Sequence, residues 1–180
     1  MSRINVIFCG ATYIANTNAN GKRVFFIGST SNNYSQPFMF KKDLQHFKQL
    51  TKGKIIIMGK NTWLAIGEKP LPDRTNVVIT SNPQNVKGAL TFGSINEVLD
   101  YFEPDKELFF IGGAMLIQSL ASHYEVDTFY ITTFLSFTEE DISLCLDFDG
   151  YKPELIKSDI DKCIVTENMR TLFFEKYTKL

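Results

Sequence analysis

The chain is 180 residues long, a length that accommodates one domain with a buried core. Apolar residues make up 44% and charged residues 22% of it, which excludes a disordered or fibrous protein. The net charge of −1 at pH 7 excludes a general attraction to nucleic acid or anionic membranes, so a bound anion has to be met by local lysines and arginines, as with a small ligand.

In chain order, INVIFC (4–9) reads as a first strand. Residues 15–35, rich in Asn, Thr, Ser and Gly, read as turns and loop. In FMFKKDLQHFK the apolar residues Phe40, Leu44, Phe47 and Leu50 recur at helical spacing. KIIIMG (54–59) and NVVIT (76–80) are further strands, separated by a short helix opening at Gly59 and by the Pro-bounded turn PLPDR. Ser94 and Glu97 form a capping box ahead of Ile95, Val98, Leu99 and Phe102. ELFFIG (107–112) then runs into Gly112-Gly113 and a helix over 114–122, and VDTFYITTF (126–134) follows as a strand. CIVTENMRTLFFEKYTKL predicts an antiparallel hairpin turning near Asn168. The expected fold is α/β: one domain over 1–180, with a mixed, mostly parallel twisted sheet flanked by helices and closed by a C-terminal hairpin.

Cys9, Cys145 and Cys163 are odd in number and widely spaced, which predicts free thiols in a reducing compartment. His46 and His123 lie apart from them, so no metal site is expected. INVIF is too short for a signal segment, and no apolar run reaches the roughly 18 residues of a membrane span, so a cytoplasmic location is expected. His46, between Gln45 and Lys48, reads as solvent-facing, His123 as a surface residue, and Glu139, Glu140 and Asp141 as a solvated turn.

Three stretches carry possible chemistry. Asp43 stands on the apolar side of its helix: it is either a first-turn acid favoured by the helix dipole or a partly desolvated pocket carboxylate facing a donor-rich heterocycle. Gly59-Lys60-Asn61-Thr62 is either a capped helix with a solvated lysine or a phosphate site. Gly112-Gly113 is either a tight strand-to-helix turn or a place where a ligand approaches the backbone closely, although it lacks the GxGxxG fingerprint.

Together and in this order, PFMFKKDLQHFK, IIIMGKNTW, PLPDR, IGG and FYITT resemble the dihydrofolate reductase family from Ile4 to Tyr177, and the KKDLQ and FKxxTxG wording is nearest to bacteriophage-encoded members. The resemblance implies a monomer that uses NADPH to reduce dihydrofolate, by hydride transfer to C6 with protonation at N5. It implies that Asp43, sharing a network with Thr132, grips the 2-amino and N3 edge of the pteridine. Phe47 would stack on the substrate, Phe38 would lie close to it, Ile66 and Leu71 would wall the aminobenzoyl group, and Arg74 would pair with the glutamate α-carboxylate. The main chain at Cys9 and Ile111 would lie against the ring. For the cofactor it implies Ile27 and Gly28 in the covering loop, and Gly59, Lys60, Asn61 and Thr62 at the phosphates. Thr80 and Ser81 would lie at the adenosine side. Gly112, Gly113, Ala114, Met115, Leu116 and Ile117 would line the pyrophosphate and nicotinamide ribose, with a cis peptide joining the glycines.

Departures from the family pattern are Phe38 in place of the usual tryptophan, Ile117 in place of a common tyrosine, and a long first loop without GxIGxxGxLPW. They keep one rival open, a non-catalytic nucleotide-binding or assembly protein with the same fold; a second, which keeps the fold and changes the substrate, is a pyrimidine reductase of flavin synthesis. Arg74 and the Asp43/Phe47 pair argue against the second.

Overall fold

A computed structural model describes residues 2–13, 22–29, 37–136 and 142–180. The strands expected from apolar runs form its centre: β1 (Arg3–Tyr13), β3 (Ile55–Gly59), β4 (Thr75–Ile79), β6 (Glu107–Gly112) and β7 (Thr128–Ser136). Their runs are continuous rather than alternating because both faces are covered: Ile56, Ile57, Met58, Val77, Val78, Leu108 and Phe110 are all 0% exposed. Each such side chain contributes about 1.5–3 kcal/mol through burial.

Among the described residues the sheet has ten strands, eight of them in the order β5-β4-β3-β6-β1-β7-β10-β9, where β5 is Leu90–Phe92, β9 Tyr151–Lys162 and β10 Met169–Lys179. β1, β3, β4, β5, β6 and β7 run parallel to their neighbours in this series, and β10 pairs antiparallel with both β7 and β9. Off this path, β2 (Arg23–Gly28) pairs with β1 and with β8 (Ile142–Leu146).

Helices cover both faces. α3 (Ile95–Tyr101) and α4 (Ala114–His123) put Val98, Ile117 and Leu120 into the larger core with Val6, Ile57 and Phe110. α1 (Lys41–Thr51) and α2 (Lys60–Ala65) put Phe47, Leu50 and Trp63 against Ile7, Ile56 and Met58 on the other face. The Ser94 cap forms as expected, with the Glu97 N–H donating to Ser94 Oγ at 3.2 Å. No helix among the described residues is long and apolar enough to cross a membrane.

The sequence reading is corrected at two places. Arg23–Gly28, expected as loop, is strand β2, with Phe25 and Phe26 buried. The C-terminal hairpin exists, but its first strand is YKPELIKSDIDK rather than the run beginning at Cys163, which lies in the turn. This outer strand is solvated and charged, so it shows none of the apolar alternation by which strands are recognised.

The chain leaves β3 toward β4 and leaves β6 toward β7, on opposite sides. The crevice between β3 and β6, at their carboxyl ends, is therefore where an α/β sheet binds ligands. Gly59 and Gly113 meet there so closely that a Cβ on Gly59 would lie 3.7 Å from Gly113 N.

Candidate active site

A cleft of about 1110 Å³ opens at this point, walled by α1, the start of α2, the Gly112-Gly113 turn and part of β8. α1 shapes one side. Its apolar face lies over the cleft as much as over the core: Leu44 is 45% exposed, and the helix's one fully buried residue is Thr51. Asp43 is in the first turn and also lines the cleft.

The Thr132 hydroxyl on β7, itself 3% exposed, hydrogen-bonds Asp43. Burial pushes the Asp43 carboxyl up to about 6, against that hydrogen bond, which lowers it. Cys9 is the register partner of Thr132 across β1 and β7. Its thiol is raised well above the usual range, by burial first and then by the charges of Asp43 and Cys163. The floor of this end is therefore a carboxyl group half withdrawn from water, whose shift has no contribution from a cation among the described residues.

At the far end of α1, Arg74 Nε donates to Thr51 Oγ1 at 2.9 Å, and Thr51 Oγ1 donates to the Phe47 carbonyl at 2.7 Å. The guanidinium carbon lies 5.5 Å from the Phe47 ring centre. The PLPDR turn is braced from β4 by Asn76, whose side chain accepts from Leu71 N–H at 2.9 Å and donates to the Leu71 and Arg74 carbonyls at 2.9 and 3.1 Å. Ile66 and Leu71 wall the space between.

The opposite half is built on glycines. Gly112 has φ +140°, and a Cβ there would meet Thr62 Oγ1 at 2.9 Å, so only glycine lets the turn close over α2. The Gly112-Gly113 peptide is cis. A register shift in the β3/β6 pairing just before it leaves Ile111 between Phe110 and Gly112 as the unpaired residue facing the cleft. Lys60 and Asn61 are exposed at the start of α2, Ile27 and Gly28 come from β2, and Ala114, Met115, Leu116 and Ile117 open α4 along the same wall.

Three groups of expected residues lie elsewhere. Phe38 is 6% exposed, with its ring 4.7 Å from Phe134, and it packs into the core rather than into the cleft. Thr80 is buried and its hydroxyl accepts from Asn82 N–H at 3.1 Å, while Ser81 is exposed; neither lines the cleft. Thr132 reaches the cleft through Asp43. His46 is a further correction: it is half-buried with its ring 4.9 Å from Phe174, and burial and Lys157 lower its pKa. Glu139, Glu140 and Asp141 lie outside the described residues, as does most of the long first loop.

The structure adds Met39, Leu44 and Lys48 at the α1 end and Ile142 and Ser143 at the other. Leu44 and Lys48 share the helix face of Asp43 and Phe47, so helical spacing could have found them. Ile142 and Ser143 arrive through the pairing of β8 with β2, which leaves no local signal.

A model of the dihydrofolate reductase family matches residues 13–166. The dihydrofolate reductase of Bacillus subtilis (strain 168) is 40% identical over 97 residues, which cover 53% of this chain and 56% of that protein. That of Ureaplasma parvum serovar 3 is 29% identical over 135 residues, 74% of this chain and 83% of the relative. At the higher identities the chain spans about half the length of the curated relatives it matches. Among solved structures, dihydrofolate reductase from Enterococcus faecalis, complexed with NADP(H) and RAB-propyl, superposes with a TM-score of 0.71 at 23% identity, covering 98% of this chain and 96% of that one. This likeness shows that the fold is shared.

Proposed function

The chain belongs to the dihydrofolate reductase family, and from that premise we propose that it reduces 7,8-dihydrofolate to 5,6,7,8-tetrahydrofolate with NADPH. The observation that carries the reading is a lone, half-withdrawn carboxyl group, Asp43, held by Thr132 at one end of a cleft that has Arg74 at the other. An acid at one end suits the 2-amino and N3–H donors of a pteridine, and a guanidinium suits the glutamate α-carboxylate. Between them Phe47 stacks on the ring system, and Ile66 and Leu71 enclose the aminobenzoyl group.

The glycine half fits NADPH on its own geometry: the buried Gly112 lets the turn close on Thr62, where a Cβ would meet the hydroxyl at 2.9 Å, and so brings the half-buried Gly113 backbone to the cleft beside Lys60 and Thr62. Lys60, Asn61 and Thr62 hold its phosphates, Gly112 to Ile117 run along the pyrophosphate and ribose, and Thr80 and Ser81 take the adenosine end beyond the cleft. When bound, NADPH supplies the hydride that reaches C6. Asp43 accepts from the pteridine edge, orients the ring and raises the basicity of N5, while water delivers the proton there.

We further infer a monomer of one domain over 1–180, because one chain supplies every wall of the cleft and one sheet takes strands from Arg3 to Lys179. The odd number and wide spacing of Cys9, Cys145 and Cys163 and the −1 charge support a cytoplasmic location without nucleic acid as partner. The KKDLQ wording supports a bacteriophage source.

Mixing the pure protein with NADPH and dihydrofolate gives a fall in absorbance at the nicotinamide band, and no fall at any pH between about 5 and 8 overturns the reading. A finer expectation concerns Thr51. Thr51→Val removes the acceptor of Arg74 Nε, so KM for dihydrofolate rises about tenfold with kcat nearly unchanged, as for loss of a hydrogen bond to a charged group made equally in ground and transition states. Dihydropteroate, which lacks the glutamate, shows no such change in steady-state kinetics; an equal rise for both substrates removes Arg74 from carboxylate binding.

A further inference from the structure

α1 carries Asp43 and Phe47, yet nothing in its own sequence caps it. Its N-cap, Phe40, has no side-chain acceptor, and the first N–H groups of a helix need one. The acceptor comes from 119 positions further along the chain: Lys42 N–H donates to Asp161 Oδ2 at 2.8 Å. The other oxygen, Oδ1, accepts from Lys162 N–H at 2.9 Å. Lys42 is the second residue of the helix, and its N–H is a usual target of an N-cap side chain. Asp161 therefore does from the hairpin what an N-cap aspartate would do locally.

Asp43 is the next residue, at the third helical position, from which an acid commonly bends back to the N-cap backbone. Here its carboxyl group goes to Thr132 instead, and the chain entering the helix is tied to the hairpin turn, where Phe40 bridges Cys163 and Ile164 N–H donates to the Met39 carbonyl at 2.7 Å. The same hairpin holds the helix at further points: Lys42 Nζ pairs with Asp159, and the His46 ring rests on Phe174. Phe174 is in turn the register partner of Thr132, so the strand that anchors the helix lies beside the strand that receives Asp43.

We propose that Asp161 is a positioning residue for the active-site acid: by capping α1 from the hairpin, it leaves the Asp43 carboxyl group to Thr132 and the cleft. The kinetic consequence rests on the dihydrofolate reading, and the clamp itself has a readout that needs no substrate. Asp161→Ala raises KM for dihydrofolate about fivefold, the factor that corresponds to loss of a typical cap, and leaves KM for NADPH within about twofold. Asp161→Asn, which keeps an oxygen for Lys42 and caps as well as aspartate does, stays within about twofold of wild type for both ligands. In the free protein, amide hydrogen exchange of Lys42, Asp43 and Leu44 speeds up about fivefold in Asp161→Ala and not in Asp161→Asn. Should the alanine variant not fold, Asp161→Ser replaces it, since its oxygen sits one bond nearer the backbone and falls short of Lys42.

The proposal is overturned if the alanine or serine variant loses thermal stability with both KM values unchanged, or if asparagine behaves as alanine does. A wild-type protein that turns over no dihydrofolate removes the functional reading and leaves the exchange comparison to judge the clamp.

Discussion

Replacing Asp43 with asparagine lowers kcat/KM for dihydrofolate by about 10²-fold or more at neutral pH, the range of a positioned acid–base group. In the proposed complex the carboxylate accepts from two donors on the pteridine edge, whereas an asparagine amide accepts with its oxygen and turns a donor toward the second, leaving two donors facing each other. The change also removes the negative charge that makes N5 easier to protonate. Since the carboxyl group titrates at about 6, protonation below that pH costs wild type one of its acceptors. KM for dihydrofolate therefore rises as pH falls through about 6 in wild type and stays flat in Asp43→Asn. Single-turnover hydride transfer measured across pH 5 to 8 checks both statements, and an unchanged rate at neutral pH removes Asp43 from the mechanism.

The same substitution has an opposite effect on stability. An acid whose folded pKa of about 6 lies above its ordinary 3.8 is bound by more protons in the native state within that window, so stability is full below it and is lost as pH rises through about 6. A rise of this size corresponds to about 3 kcal/mol, and to about 1–2 kcal/mol once the cleft's water is allowed for. Asp43→Asn melts at a higher temperature than wild type at pH 7.5 and at nearly the same temperature at pH 4. The buried acid is a stability cost retained at the site where function needs it.

How much of this was legible in the sequence follows from where each residue's partners lie. β3, β4 and β6 were readable because strands covered on both faces carry continuous apolar runs, as IIIMG and LFFIG are. β9 was not, because at the sheet edge the solvent sets its composition. Nor were β2 and β8, whose pairing is with each other and, through Ala11 and Phe26, with β1. Periodicity placed Asp43 on a helix and left its role open; the family resemblance named the role, and the cleft with Thr132 supports it. Thr51, Asn76 and Asp161 act on Arg74, the PLPDR turn and α1 through one to three hydrogen bonds each, the last across 119 positions, and so few hydrogen bonds write no pattern into a chain. Phe38 shows the converse: it was placed by motif position, yet an aromatic ring beside Phe134 and Phe40 gains more from the core than from a wet cleft.

The glycine half allows an equally direct test. Gly112→Ala introduces a Cβ at φ +140°, a backbone conformation that L side chains rarely adopt, and sets it 2.9 Å from Thr62 Oγ1. The first effect alone costs about 1–3 kcal/mol. The second cannot be relieved by a rotamer change at no cost, because Thr62 is β-branched and stiff; either α2 or the Gly112 turn has to move. The expected result is a fall in melting temperature together with an NADPH dissociation constant raised about 10- to 100-fold, since each of these elements is a wall of the proposed cofactor site. Thr62→Ala in the same background separates the contributions: removing the hydroxyl opens the space the new methyl needs, so the double variant recovers part of the lost stability, and what remains measures the backbone strain. NADPH affinity does not recover with it, because the hydroxyl proposed to meet a phosphate is gone. Equilibrium unfolding with cofactor titration by fluorescence reads both quantities, and a Gly112→Ala protein that keeps wild-type NADPH affinity places the cofactor away from this turn.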